Sequence, residues 1–213
     1  LLFNFPNVQS LLSILVAFLL ALSGHEFAHG LAADLLGDPT ARRAGRLTLN
    51  PLAHVDIVGL LALLVAGFGW AKPVPINPFL LKGNRRAALI AVSVAGPLAN
   101  LLMAFLGAVI GVVLYDRGLG NYGAATLAAQ FVAVNVMLAV FNLIPIPPLD
   151  GSQILAALLP GPQEWLLSLQ RYGVVILFVL AITGLFRFII GPPISVITNG
   201  LYNLSYLIAT IFH

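Results

Sequence analysis

The 213-residue chain has no cysteine, which excludes disulfides and thiolate metal sites and leaves histidine and carboxylate as the plausible metal ligands. Charge is almost as scarce. Asp, Glu, Lys and Arg make up 8% of the residues, where a soluble domain carries about a quarter. That deficit, with 60% hydrophobic residues and a mean hydropathy of +1.03, excludes water as the main solvent. No low-complexity tail, internal repeat or soluble domain is visible. The formal charge of +3 comes from a few loop residues, notably Arg42, Arg43, Arg46, Lys72, Lys82, Arg85 and Arg86. They read as topology determinants, and no nucleic-acid partner is expected. The first apolar segment runs on into polar residues that a cleaved signal peptide would not need, so it is expected to be mature structure. Because Leu1 is not preceded by an initiator Met, a few native residues are expected ahead of it.

What is present is a series of uncharged stretches, several long enough for the roughly 20 helical residues that cross a hydrocarbon core. Residues 8 to 36 read as one long helix stopped by Gly37, Asp38 and Pro39. In residues 40 to 56, the run ARRAGRLTLN alternates enough to predict one or two short strands before the turn at Pro51. Residues 57 to 70 are apolar but short, and are expected to be re-entrant or buried. The three prolines of WAKPVPINP make residues 70 to 78 an extended loop. Residues 87 to 115 and 124 to 144 form a membrane hairpin around DRGLGN. NLIPIPPLDG, residues 142 to 151, breaks the second helix, a short segment covers Ser152 to Leu159, and residues 165 to 190 and 193 to 212 supply one or two more crossings. The expected fold is an all-α polytopic membrane protein with about four to six transmembrane or re-entrant helices and a short β element between the first two apolar segments. It forms one domain over 1–213, with a core at 8–160 and C-terminal helices at 165–212.

Cytoplasmic loops near membrane ends collect Lys and Arg. Arg42, Arg43 and Arg46 place the end of the first helix in the cytoplasm, and Lys72, Lys82, Arg85 and Arg86 agree if residues 57 to 70 do not cross. The hairpin then goes out and returns, which brings Asp150 to the same side as the end of the first helix.

Inside that helix lies His25-Glu26-Phe27-Ala28-His29. Residues four apart share a helical face, so both imidazoles can address one metal ion. In HExxH hydrolases the residue at the position of Glu26 takes a proton from the attacking water. His25 lies about 17 residues into the helix, roughly 25 Å along it, within the bilayer near its inner side. Ionisable groups at that depth are functional by default, the bland alternative being a His/Glu cluster bonded to neighbouring helices. Two histidines leave a catalytic zinc one protein ligand short. Asp150, behind Pro145, Pro147 and Pro148, is the best third ligand, because irregular backbone at membrane depth must be buried or line a cavity. Followed by Gln153, it also resembles a capping box. Asn142 could donate to a developing oxyanion, and Asn100 and Asn135 could do likewise, although helix-to-helix bonding suits an intramembrane Asn equally well. His54 could orient substrate or approach the metal, or simply bond a local carboxylate such as Asp56.

HEFAHG, GDPTARRAGRLTLNPLAHVD, GWAKPVPINP, AGPLANLL and FNLIPIPPLDGS, in that order from about Ser10 to Pro160, resemble the site-2 proteases of the compact prokaryotic type without PDZ or CBS domains. The resemblance implies an intramembrane zinc metalloendopeptidase of a prokaryotic cell membrane that cleaves transmembrane peptides near the cytoplasmic side. It implies one Zn2+ held by His25, His29 and Asp150, Glu26 as catalytic base, and Asn142, with Asn100, in contact with substrate or intermediate. DGS stands here where DGG is commoner, and the helix that precedes HExxH in some relatives is not expected in this chain. An unwound substrate is expected to add as a strand to an edge in RLTLN. A membrane metal transporter or metal-binding receptor using the same His/Asp site is the alternative. A scaffold with a structural zinc is disfavoured, since a closed site needs no base.

Overall fold

The computed structural model describes residues 8–66, 69–161 and 164–211. Within them the chain is all helical: α1 (Val8–Leu35), α2 (Thr40–Arg43), α3 (Ile57–Ala66), α4 (Arg85–Asp116), α5 (Tyr122–Asn142), α6 (Asp150–Leu158), α7 (Glu164–Thr183) and α8 (Phe186–Ile211), with a 3-10 turn at Pro51–Ala53. Four of these, α1, α4, α5 from Gly123, and α8, are long and apolar enough to cross a membrane, and Leu169–Thr183 of α7 is a shorter apolar helix.

The core is the contact of α1 with α4 and α5. Ile14, Ala17, Phe18, Ala21 and Leu22 turn one face of α1 toward Val134 and Leu138 of α5. Leu12, Val16 and Leu20, on another face, stay exposed and are free for lipid. Small residues let the backbones approach, as membrane helix contacts favour: Ala104 and Ala108 of α4 are fully buried against Val132 and Val136 of α5, with Ile194 and Leu201 of α8 closing that side.

The β element expected over residues 40 to 56 is not there. Among the described residues the only β pairing is a single antiparallel bridge between Val55 and Ala71. Local capping takes over the segment. Asp38 Oδ1 accepts from the Thr40 N–H and hydroxyl just ahead of α2, whose N-cap residue is Pro39, while Asn50 Oδ1 accepts from Leu52 N–H at 3.1 Å and starts the 3-10 turn. RLTLN has no strand beside it, and its backbone is already engaged: Thr48 O accepts from His54 and Asn50 N–H donates to Thr48 Oγ1. The strand edge expected to capture substrate is therefore absent.

A second boundary also moves. The last two helices divide at Gly184 (φ +72°), where only a glycine turns without strain, and not at residues 190 to 193. Pro192 and Pro193 lie inside α8.

The end of α1 and the start of α4 are joined directly, since Lys82 N–H donates to Leu36 O at 2.8 Å. The basic residues of both loops therefore collect at one end of the bundle. α5 returns to that end, and the chain turns there through residues 143 to 149 into α6.

Candidate active site

His25, Glu26 and His29 are all buried in the C-terminal half of α1. Helical geometry sets the two imidazoles edge to face, with ring centroids 4.5 Å apart and planes at 85°, and brings their Nε2 atoms to 3.0 Å. Asp150, 121 residues further along, opens α6 and places Oδ2 3.2 Å from His29 Nε2 and 3.3 Å from His25 Nε2. The alternative role of Asp150 as a cap is not seen. Leu149 is the N-cap residue, no side chain caps the helix, and the Asp150 carboxylate turns to the histidines.

The tautomers follow from what lies behind the rings. His29 Nδ1 meets Val92 O at 2.7 Å, and a carbonyl can only accept, so Nδ1 carries the proton. His25 Nδ1 meets Asn100 Oδ1 at 2.6 Å. The Asn100 amide cannot be turned round, because its Nδ2 donates to Ala21 O and Asn135 Oδ1. In neutral imidazoles protonated at Nδ1, both Nε2 atoms present lone pairs, and they face each other and a carboxylate oxygen. Three lone-pair atoms within 3.3 Å of one another repel unless a cation lies among them. The separations also match the donor set. Zn–N and Zn–O bonds of about 2.0–2.2 Å in a tetrahedron hold ligand atoms about 3.3 Å apart. Chemistry and spacing of the three residues fit zinc.

Several members of the site carry no obvious sequence signal. Pro97 has no N–H to offer the carbonyl four residues back, so the α4 hydrogen-bond ladder is open beside the Val92 carbonyl that receives His29. Gly96 lies against both rings: a Cβ there would stand 2.3 Å from His29 Nε2 and 2.6 Å from His25 Cε1. Val74 N–H donates to Glu26 Oε2 at 2.7 Å. Gly96 could have been read from AGPLANLL as a small residue on a membrane helix face, whereas a backbone donor or acceptor leaves no mark on residue type.

A cavity of about 980 Å³ opens on this cluster, at the upper end of ligand-site volumes. His25, Glu26, His29, Asp150 and Asn142 line it together with apolar side chains such as Phe18, Val74, Phe141 and Leu177. Asn142 donates from Nδ2 to Leu138 O one turn back while lining the cavity. Asn100, expected to touch substrate, lies elsewhere: it is fully buried behind His25 and does not line the cavity. Asn135 continues that polar chain, donating to Phe131 O. His54, expected near substrate or metal, is also fully buried and outside the cavity, and its Nε2–H donates to Thr48 O at 2.8 Å to fold its own loop.

Asp38, beside the site loop, accepts from Thr40 and from Asn77 N–H at 2.6 Å. Burial alone would raise its carboxyl pKa. The hydrogen bonds from the Thr40 hydroxyl, Asn77 N–H and Thr40 N–H, with the nearby Arg43 charge, outweigh burial and hold it below the usual value.

The chain is similar to known zinc metalloproteases. The sequence model of peptidase family M50 matches residues 119–184, which include Asp150. YwhC of Bacillus subtilis, named as a zinc metalloprotease, is 38% identical over 188 residues, covering 85% of this chain and 85% of its own. Rip2 of Mycolicibacterium smegmatis is 32% identical over 80% of this chain and 66% of its own length, and MJ0611 of Methanocaldococcus jannaschii is 29% identical over 72% and 75%; both carry the same description. No solved structure matches significantly. A donor set that fits zinc, on helices apolar enough to span a membrane, thus coincides with extended similarity to named zinc metalloproteases, and the chain belongs to peptidase family M50, the site-2 proteases, as a zinc metalloprotease.

Proposed function

We propose that this metalloprotease hydrolyses peptide bonds within transmembrane segments of membrane-protein substrates, at a site near the cytoplasmic face of a prokaryotic cell membrane. The observation that carries this reading is the position of the cluster. His25, Glu26 and His29 lie within a membrane-length helix, and the cavity they share with Asp150 is walled by apolar side chains. The basic loops at the same end of the bundle support a cytoplasmic location. The whole chain, 1–213, acts as one domain.

Zinc, held by His25, His29 and Asp150, supplies a Lewis acid that acidifies water and polarises a carbonyl. The remaining work belongs to the chain. Glu26, with Oε2 fixed by Val74 N–H, uses its second oxygen to take a proton from the water that attacks the scissile carbonyl carbon. The same carboxyl then returns that proton to the amide nitrogen as the C–N bond breaks, releasing an amine and a carboxylic acid that keeps the second proton of the water. Asn142, on the cavity wall, donates to the oxyanion from the amide N–H not used by Leu138 O. Asn100 holds His25 in the tautomer that leaves Nε2 available. The apolar walls receive the side chains of an unwound membrane segment.

The test is Glu26→Gln. The variant should retain zinc while cleavage falls by about 10²–10⁴-fold. In comparative membrane proteomics, transmembrane fragments should accumulate in cells that carry it. Retained cleavage by Glu26→Gln would remove the assignment of the base.

A further inference from the structure

Arg46 belongs to the basic loop that the sequence explains by membrane topology alone, yet its guanidinium turns inward. It is partly buried, and Nη2 donates to Lys72 O at 2.7 Å and to Pro73 O at 3.3 Å. The Pro73 carbonyl and the Val74 N–H are two ends of one planar peptide group. That group carries Arg46 on its oxygen and the Glu26 carboxylate on its nitrogen, since Val74 N–H meets Oε2 at 2.7 Å. A cation at the oxygen of an amide and an anion at its N–H polarise it in the same sense, so each hydrogen bond strengthens the other.

The local sequence isolates this contact. In Pro73-Val74-Pro75 both prolines lack an N–H, so Val74 supplies the only backbone donor of the three, and it goes to Glu26. The segment is secured on either side. Lys72 N–H donates to His54 O at 2.9 Å, and Val74 packs at Gly30, where a Cβ would come within 3.2 Å of its side chain.

We propose that Arg46 is a positioning residue for Glu26, acting through the Pro73–Val74 peptide group. The proposal rests on Glu26 being the base. Arg46 itself does not line the cavity. It aims one peptide so that the carboxylate is held at one oxygen and keeps the other for the water.

The experiment uses the zinc-loaded full chain in lipid vesicles. Two readouts are measured: turnover of a quenched-fluorescent, leucine-rich transmembrane peptide of about 20 residues, and binding of acetohydroxamate, which gives up a proton to a neighbouring carboxylate as it chelates. Arg46→Ala should lower kcat by about tenfold and weaken acetohydroxamate by a similar factor, with KM, zinc stoichiometry and melting temperature unchanged. Val74→Pro, which deletes the N–H and also removes a cavity-lining side chain, should lower kcat and acetohydroxamate affinity at least as much, and adding Arg46→Ala to it should lower neither further. Arg46→Lys, able to donate to the same carbonyls, should recover most of the loss. If the two effects multiply, or zinc is lost along with activity, Arg46 is only a tether of its loop and the proposal fails. Parental kcat and hydroxamate affinity in Arg46→Ala, with Glu26→Gln inactive, overturn the positioning role alone. If Glu26→Gln remains active, the base assignment fails first.

Discussion

Gly96→Ala isolates the metal site from the fold. The new methyl carbon would stand 2.3 Å from His29 Nε2, 2.6 Å from His25 Cε1 and 2.7 Å from His29 Cε1. Ordinary contacts of this kind need about 3.5 Å, so the rings must withdraw by roughly 1 Å. They have nowhere to go. His25 is held at Nδ1 by Asn100 and His29 by the Val92 carbonyl, both on the helix that carries Gly96. Separating α1 from α4 instead would open the packing of Ala33 against Ala88 and Val92. Overpacking of this kind costs about 1–3 kcal/mol, while replacing a mid-helix glycine by alanine returns up to about 1 kcal/mol. The protein without metal should thus lose no more than about 3 kcal/mol. Zinc binding should suffer more, because two of the three residues that would hold the ion are pushed aside. Loss of a single supporting hydrogen bond already weakens metal affinity by about 10–100-fold, so the variant should bind zinc at least about 100-fold more weakly. The assay pairs chelator competition on purified protein with thermal unfolding in excess chelator. Zinc affinity within about threefold of the parent would refute the reasoning, as would equal losses in zinc binding and metal-free stability.

Two further outcomes follow from the same contacts. Asn100→Ala should reduce zinc affinity by about 10–100-fold through loss of the His25 Nδ1 acceptor, and Asn100→Asp, which keeps an acceptor but cannot donate to Asn135 or Ala21, should lie between it and the parent in chelator competition. Asp38 gives a pH signature. Its carboxyl pKa is lower in the folded than in the unfolded state, so its stabilisation is present above the unfolded value of about 3.9 and is lost as pH falls through the folded value. Asp38→Asn should therefore melt lower than the parent at pH 7, by about 1–3 kcal/mol. The difference should close below pH 4 in a series of melting curves, and a difference independent of pH would contradict it.

The features legible in the sequence are those written in residue type at fixed spacing. HExxH is local, and its consequence, two imidazoles on one face with their Nε2 atoms together, follows from the pitch of one helix. Asp150 was legible for a different reason: three prolines spoil the helix just before it, and the basic loops fix which end of the bundle it joins. Asn100 was visible as a buried amide, but its partner is 75 residues away, and nothing along the chain distinguishes an amide facing a cavity from one facing the back of an imidazole. The Val92 carbonyl and Val74 N–H belong to the backbone and could not be seen. The strands expected in residues 40 to 56 failed because alternation specifies a face only when a second strand exists, and here Asp38 and Asn50 capture the neighbouring N–H groups for short helical turns. The break expected near Pro192 and Pro193 failed because the positive φ of Gly184 ends α7 earlier.

Three lone pairs held 3.0–3.3 Å apart on two separate helices also bear on supply and turnover. Whatever ion neutralises them binds the folded arrangement and not the unfolded chain, so it stabilises the protein in proportion to the logarithm of its concentration. Without it, the mutual repulsion acts on the docking of α6, a segment of nine residues that joins α1 through Asp150. Were zinc scarce, the protein would lose that stabilisation at the junction of α6 with α1, while α6 would stay packed on α4.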